Sequence, residues 1–364
     1  MNVNKTISVF QALTIIILAV GFSNHVTIIP LLLHVGMRDS WISVLLTYLL
    51  SNLWLLLPYY IAKTTGQQSL FDWLRQQYGK WAARFLIWPA AIYVLFIAAL
   101  TIRETTKWVS ITYLPRTPGT VVAGSLILLC LFIAGSGIRP IAITTGILLP
   151  MVWLLGYFVM SANFQYKDYS KIFPIFTDGL EPVLNAMVYA GGGFIEIIIL
   201  LLFKHSIEKP IRLLYWFILA FILAGLTMGP LIGSMATYGP VESANLRYPA
   251  FEQWRLVTIG KYIAHVDFLA LFQWLSGAFI RISLAIYILL DFCKPDSRLL
   301  KRFILFILLF ILLGIAVAPI SDMNFIKWIK TRYYPYSFFA VLAYSILLSL
   351  LVFAKSHLKR RKPS

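Results

Sequence analysis

Two long apolar stretches of this chain are interrupted near their middles by residues that weaken an α-helix. The first interruption is Gly21-Phe22-Ser23-Asn24, and the second is Gly191-Gly192-Gly193. In the hydrocarbon of a membrane an unpaired backbone N–H or C=O is costly, so an interrupted helix persists only where it faces protein, a water-filled cavity or a bound solute. The two interruptions together predict a binding site near the midplane of a membrane.

The composition is that of a membrane protein. Of the 364 residues, 60% are hydrophobic and 12% are charged, whereas a soluble domain has roughly 45–50% apolar and about 25% charged residues. Windows of about 20 apolar residues predict ten membrane spans in a single all-α membrane domain over residues 1–364. The predicted spans are 7–34, 40–62, 82–106, 119–137, 140–162, 182–203, 211–235, 267–290, 301–319 and 336–354.

The interruptions fall in spans one and six, each of which is the first of five. This arrangement predicts a five-plus-five inverted repeat with broken helices 1 and 6, with one half at about 7–162 and the other at about 182–354. An even number of spans places both termini on one side. The basic tail 355–364 predicts that this side is the cytoplasm, because cytoplasmic segments next to spans are enriched in Lys and Arg.

The glycines allow two interpretations. Small residues let helices pack closely without forming any site, and Gly21 alone is readily explained in this way. Three consecutive glycines weaken a helix by roughly 3 kcal/mol, which favours an unwound segment at Gly191–Gly193 that faces a ligand.

Two ionisable residues lie deep in the predicted spans, and intramembrane charges are costly enough to suggest function. Counting from the span ends places Glu196 and Arg281 at a similar depth. A guanidinium and a carboxylate can form two parallel hydrogen bonds, so we expect Glu196 and Arg281 to pair, either directly or through a bound solute. A purely structural pair remains the alternative.

Further polar residues accompany both interruptions. Tyr189, Gly192 or Gly193, and Glu196 share one helix face, and Glu196 would open the second half-helix, where its carboxylate would attract an ammonium group or a cation. His25 is either a proton acceptor or a hydrogen-bonded partner. The predicted ligand-binding residues are Gly21, Ser23, Asn24, His25, Tyr189, Gly191, Gly192, Gly193 and Glu196, with Arg281 as intramembrane charge partner.

Other classes of function find little support. The net charge of +17 is spread over short loops and suits anionic lipid headgroups, so we expect membrane lipid and no nucleic acid as a partner. No catalytic motif or metal-ligand spacing is present, and Cys130 and Cys293 predict neither a disulfide nor a metal site, so we expect no enzyme activity, cofactor or metal. Glu104, near the end of span three, is predicted to pair at a gate or loop.

Several short stretches resemble a known family. They are Asp39-Ser40-Trp41-Ile42, Gly79-Lys80-Trp81, Arg116-Thr117-Pro118, Phe173-Pro174, Gly179-Leu180-Glu181-Pro182, Tyr248-Pro249 and the basic tail. In order and spacing they resemble the permease-like B subunits of endospore germinant receptors, which belong to the amino acid-polyamine-organocation superfamily.

The resemblance implies a LeuT-like fold in the inner membrane of the spore or in the cell membrane, with a membrane A subunit and a lipoprotein C subunit as partners. It implies sensing of a small nutrient, an amino acid or a sugar, between the segments Gly21–His25 and Gly191–Glu196, with contributions from spans three and eight. The first segment is bulkier than in relatives because of Phe22, Asn24 and His25, which leaves a sugar, a zwitterion bound in another way, or no ligand at all as alternatives. A secondary amino-acid permease is the alternative function, because a carrier needs the same midplane site.

Overall fold

The computed structural model describes residues 6–258 and 265–360, so the end of the predicted basic tail, 361–364, lies outside the described residues. The described chain is helical almost throughout. Its helices are α1 (Val9–Phe22), α2 (Ile28–Gly36), α3 (Ser40–Trp54), α4 (Leu56–Thr65), α5 (Leu70–Tyr78), α6 (Lys80–Thr112), α7 (Gly119–Ser136), α8 (Ile138–Ala162), α9 (Glu181–Phe194), α10 (Ile199–Phe203), α11 (Leu213–Tyr238), α12 (Pro240–Asn245), α13 (Pro249–Arg255), α14 (Phe268–Cys293), α15 (Arg298–Val317), α16 (Asp322–Trp328) and α17 (Tyr334–Arg360).

The described residues contain nine helical runs that are long and apolar enough to cross a membrane. The first, Val9–Thr65, has 57 residues, and at about 1.5 Å per residue it would be far longer than the roughly 30 Å of hydrocarbon in a bilayer. It reverses at Met37, whose φ of 45° lies in the left-handed region, and therefore crosses twice. Nine runs with one counted twice confirm the ten predicted spans.

Contacts between connecting segments define two faces of the bundle. On one face, which we call the terminal face, Ile7 forms an isolated parallel bridge with Ile207, and Lys204 Nζ donates to the Gln68 carbonyl at 2.8 Å. On the opposite face, which we call the loop face, the Phe176 N–H donates to Asp39 Oδ2 at 2.9 Å. Successive spans therefore run in alternating directions between the two faces.

Short helices complete the bundle at both faces. The stripe of Leu70, Trp73 and Leu74 predicts a helix, and α5 is present with Ser69 as its N-cap and these three side chains buried. Helices α12 and α13 lie in the connection 239–258, for which hydropathy predicts only a polar loop. They cover the loop face of the bundle.

The last span begins earlier than predicted. Hydropathy predicts a start at 336, whereas the helical run begins at Asp322 and passes through a π-helical turn at Ile329–Tyr333. Lys327 and Lys330 lie in this turn or just before it and depress the apolar signal. The early start brings Tyr333 and Tyr334 into the middle of the bundle, where both are buried.

Candidate functional site

The first interruption is a π-helical turn at Ser23–Thr27. Within it the backbone hydrogen bonds change register, since the N–H of Ser23 bonds to the Val20 carbonyl. The Ala19 carbonyl accepts instead from Arg281 Nη1 at 3.0 Å. Single π-turns inside α-helices occur frequently at functional sites because they release backbone groups of this kind.

The second interruption lies just beyond the glycines. Gly191–Gly193 remain α-helical, and a 3-10 segment follows at Ile195–Ile198. The interruption predicted for this span is present as the 3-10 segment, but the expectation of an unwound segment at Gly191–Gly193 is wrong. The glycines pack closely, because a Cβ atom built on the three in turn would overlap Phe338, Tyr334 and Asn24.

Glu196 and Arg281 form a direct pair at the two interruptions. Arg281 Nη1 and Nη2 donate to Oε2 and Oε1 of Glu196 at 2.5 and 2.7 Å. Arg281 Nε donates to Thr101 Oγ1 at 2.9 Å. The side chain of Arg281 is only 6% exposed and that of Glu196 only 1% exposed. In this arrangement the Arg281 guanidinium balances the charge of the Glu196 carboxylate, so Glu196 offers no uncompensated negative charge to an ammonium group or a cation.

Two hydroxyl groups extend this pair into a larger cluster. Ser23 Oγ donates to Glu196 Oε1 at 3.4 Å and lies 3.3 Å from Tyr334 Oη. We call Ser23, Thr101, Glu196, Arg281 and Tyr334 the central polar cluster. It joins spans one, three, six, eight and ten near the middle of the bundle.

A second charged group closes the loop face above the central polar cluster. Arg247 Nη2 donates to Oε1 and Oε2 of Glu104 at 2.8 and 3.0 Å, and Arg247 Nε donates to Asp322 Oδ2 at 3.3 Å. Tyr248 Oη donates to Glu104 Oε2 at 3.4 Å. Burial and the neighbouring Glu104 carboxylate raise the pKa of Tyr248 well above its ordinary value, so the phenol remains a donor. We call these four residues the outer charge cluster.

A small cavity of about 10 Å³ lies between the two clusters, about the volume that admits a single water. It is lined by Ser23, Thr27, Leu100, Thr101, Glu104, Arg281, Ile329, Tyr333 and Tyr334. Thr27 and Tyr333 each add a hydroxyl group to this lining. We call this space the central cavity. Its charged ends are a guanidinium and a carboxylate, with hydroxyls between them.

The remaining predicted site residues lie outside the central cavity. Gly21 and His25 line a second, larger cavity on another side of the first helix, where His25 Nδ1 is 3.3 Å from the Leu226 carbonyl. Tyr189 Oη donates to the Lys330 carbonyl at 3.1 Å. Asn24 Nδ2 is buried and has no partner in the part of the chain that the structure describes. Of the predicted residues, Ser23, Glu196 and Arg281 come together.

Sequence reasoning missed seven polar residues of the two clusters and the central cavity: Thr27, Thr101, Arg247, Tyr248, Asp322, Tyr333 and Tyr334. One signal was available, because Thr101 precedes Glu104 by three positions and so lies on the same face of its helix. Arg247 gives no such signal, since it lies in a connection 143 residues away from Glu104.

Comparison with known proteins agrees with this architecture. A family model described as spore germination protein matches residues 6–326. The chain belongs to this family. It is 40% identical over 354 residues to spore germination protein XB of Bacillus anthracis, covering 97% of this chain and 99% of that protein. It is also 26% identical to putative spore germination protein YfkT of Bacillus subtilis, covering 74% of each chain.

A solved structure shows the fold. MhsT in complex with L-phenylalanine superposes with a TM-score of 0.57 at 12% identity, covering 94% of this chain and 98% of MhsT. This similarity confirms the predicted LeuT-like class with interrupted helices 1 and 6. The chain is thus an integral membrane protein of the spore germination family with a permease-like fold. The boundaries of the two halves at 7–162 and 182–354, and of the basic tail at 355–364, remain predictions.

Proposed function

We propose that this chain is the nutrient-sensing membrane subunit of a spore germination receptor and that its nutrient binds in the central cavity. The observation that carries the proposal is the polarity of that cavity. Arg281 lies at one end, Glu104 lies at the other, and the hydroxyl of Thr27 lies between them. An α-amino acid carries an anionic and a cationic group at a short distance and matches this order.

The individual groups have capacity for such a ligand. Arg281 Nη2 donates only to Glu196 Oε1 among the described residues, so one of its two hydrogens is available for a ligand carboxylate. Glu104 accepts from Arg247 and would accept from a ligand ammonium group once Arg247 withdraws. A sugar is the alternative ligand, because the same hydroxyls suit its alcohol groups.

Binding requires a conformational change, because the central cavity has space for about one water molecule. The outer charge cluster has to open before a nutrient can enter from the loop face. A nutrient shifts the balance between closed and open arrangements only by its difference in affinity for the two. We propose that this shift is the signal passed to the partner proteins.

The cellular setting follows from the family. We propose that the chain resides in the inner membrane of the spore with both termini in the cytoplasm, and that it assembles with a membrane A subunit and a lipoprotein C subunit. The loop face would then receive nutrients from outside. Co-purification of the tagged chain with both subunits from spore membranes tests the assembly, and recovery of the chain alone under mild extraction would contradict it.

The nutrient site is tested by removing one hydroxyl. Spores carrying Thr27→Val are compared with spores carrying Thr145→Val, a control in which a buried threonine that donates to Ile141 is changed outside the central cavity. The probes are the common L-amino acids and glucose. Because one hydrogen bond contributes about 1 kcal/mol, we expect Thr27→Val to raise the effective concentration of the active probe roughly fivefold.

The control is expected to germinate like the wild type at equal protein abundance. Equal responses of Thr27→Val and wild-type spores to every probe would contradict binding in the central cavity.

The fold similarity to MhsT favours transport as a second candidate function. Uptake of the probe into lipid vesicles that contain the purified protein distinguishes sensing from transport. Accumulation of the germinating probe inside the vesicles would assign a permease. Saturable binding without accumulation is what the sensing proposal predicts.

A further inference from the structure

A second cavity of about 430 Å³ lies beside the central cavity. Residues of α1, α8, α11 and α14 line it, and α13 covers it at the loop face. An aromatic wall lies between it and the central polar cluster, because Phe22 packs edge-on against Trp274 at 5.7 Å and Trp274 stacks on Trp108 at 4.0 Å. We call this space the lateral cavity.

The lining of the lateral cavity is apolar and carries no acidic group. Among residues 6–258 and 265–360, no Asp or Glu lines it. The amide nitrogens of its two glutamines are already used, since Gln253 Nε2 donates to the Pro230 carbonyl at 3.1 Å and Gln273 Nε2 donates to the Val152 carbonyl at 3.2 Å. An ammonium group would find no counter-charge there, so the cavity does not suit a free amino acid.

The lateral cavity opens sideways, towards the membrane. Tyr157 of α8 and Phe221 of α11 both line it, and they are 64% and 66% exposed. Both helices cross the membrane, so side chains exposed on their outer surfaces face lipid. A molecule can therefore reach this cavity from the bilayer without passing the outer charge cluster.

One cation lies at the loop-face end of the lateral cavity. Lys167 follows the end of α8 at Ala162, where the chain leaves the membrane. Its Nζ makes one long hydrogen bond, 3.4 Å to the Met160 carbonyl, and lies 5.3 Å from the centre of the Phe164 ring. The ammonium group thus has capacity for an anion at the depth of lipid headgroups.

We propose that the lateral cavity binds one anionic phospholipid, with an acyl chain between α8 and α11 and the phosphate at Lys167. The glycines of α11 provide space for the chain, because a Cβ atom on Gly225 or Gly229 would have no atom within 4 Å. A phospholipid fits this cavity because the cavity is apolar, open to the bilayer and cationic at its headgroup end.

The bound chain would contact the lower surface of α13. Phe251 and Trp254 of this helix line the lateral cavity, and Arg247 and Tyr248 of the outer charge cluster immediately precede it. The lipid therefore supports the closed position of the outer charge cluster. This effect is distinct from nutrient binding, so the two proposals can fail independently.

The site is tested by filling it. The full-length protein is reconstituted in vesicles of equal phosphatidylglycerol and phosphatidylcholine and then extracted, and the retained phospholipid is counted by native mass spectrometry. We expect one phosphatidylglycerol on the wild type and at least tenfold lower occupancy on the double variant Gly225→Leu/Gly229→Leu. Gly146→Leu is the matched control, since it lies on α8 in open space away from both cavities and should retain the lipid.

A second variant tests the same lipid site in case Gly225→Leu/Gly229→Leu folds poorly. Lys167→Gln leaves the apolar walls intact and should retain phospholipid while losing the preference for phosphatidylglycerol over phosphatidylcholine. Equal phosphatidylglycerol retention by the wild type, the filled variant and Lys167→Gln would overturn the site. Hydrogen exchange of residues 247–255 should be slower in phosphatidylglycerol than in phosphatidylcholine, and equal exchange would overturn the support of the outer charge cluster.

Discussion

The two clusters at the ends of the central cavity both pair a carboxylate with an arginine, but they are enclosed very differently. In the central polar cluster the side chains of Glu196 and Arg281 are 1% and 6% exposed, and both belong to membrane-spanning helical runs. In the outer charge cluster Glu104 is 2% exposed, whereas its partner Arg247 is 28% exposed and belongs to a connection between short helices.

This difference assigns the clusters different mechanical roles. A fully buried pair cannot separate without leaving two desolvated charges, which is strongly unfavourable. A pair whose arginine reaches water can separate at lower cost, because the guanidinium is solvated as it leaves. The central polar cluster therefore ties the interrupted helices together, and the outer charge cluster is the part that can open.

The largest effect is expected from breaking the buried pair. Glu196→Leu or Arg281→Met alone leaves one charge buried and should lower the free energy of unfolding by about 3–5 kcal/mol. The double variant Glu196→Leu/Arg281→Met should recover most of this loss, since neither charge remains. Denaturant unfolding in detergent, followed by tryptophan fluorescence, measures both quantities, and a loss below about 1 kcal/mol in each single variant would contradict a structural tie.

A smaller effect is expected at the outer charge cluster. Arg247→Gln removes the arginine that holds Glu104 and should favour the open arrangement by about 2 kcal/mol, the cost of leaving a buried carboxylate without its charged partner. The rate at which a membrane-impermeant thiol reagent labels Leu100→Cys, in a background of Cys130→Ala and Cys293→Ala, should rise more than tenfold.

Arg255→Gln is the control for this labelling experiment. Arg255 pairs with Glu252 on the surface and is 61% exposed, so its removal should leave the labelling rate of Leu100→Cys unchanged. An equal rise in both variants would indicate general loosening instead of a gate.

The exposed ion pair between Arg247 and Asp322 should contribute less to keeping the outer charge cluster closed. Asp322 is 40% exposed and lies 3.3 Å from Arg247, and exposed ion pairs contribute about 0–1 kcal/mol. We expect Asp322→Asn to raise the labelling rate no more than about fivefold, and high salt to abolish the difference from wild type. A rise as large as that of Arg247→Gln would place the gate at Asp322 instead of Glu104.

The smallest effect is expected at the terminal face, where Lys294 Nζ lies 2.5 Å from Asp72 and both side chains are 39% exposed. Burial alone would raise the pKa of the Asp72 carboxyl, but hydrogen bonds from Lys294 and Ser69 hold it below its ordinary value of 3.8. The pair therefore stabilises the fold above that pH and loses its effect as the pH falls through the lowered pKa.

Asp72→Asn should consequently lower the free energy of unfolding by no more than about 1 kcal/mol at neutral pH. The difference from wild type should shrink as the pH is lowered below 3.8. A difference that persists unchanged in acid would mean that the carboxylate charge contributes nothing and that the asparagine disturbs packing.

Much of the fold was predictable because membrane helices have simple geometry. Ten apolar windows give ten spans, and a uniform rise per residue converts residue counts into depth. The same counting places Glu196 and Arg281 at a similar depth, and the structure joins them directly. These conclusions need only distances along single helices.

The rest depends on contacts between elements that are remote in sequence. Gly191–Gly193 remain helical because Phe338, Tyr334 and Asn24 come from other spans to fill the space that their missing side chains leave. The outer charge cluster was partly foreseen at Glu104, but its partner Arg247 lies in a connection that hydropathy treats as a polar loop. No single stretch of the sequence contains this information.

Protection by the nutrient itself is the most direct test of the nutrient site in the central cavity. Labelling rates are measured for Leu100→Cys in the central cavity and Gly229→Cys in the lateral cavity, both without the native cysteines, while the concentration of the germinating amino acid or glucose is raised. We predict that labelling slows at position 100 and remains unchanged at position 229. Slowing at position 229 alone, or at neither position, would contradict a nutrient site between the two clusters.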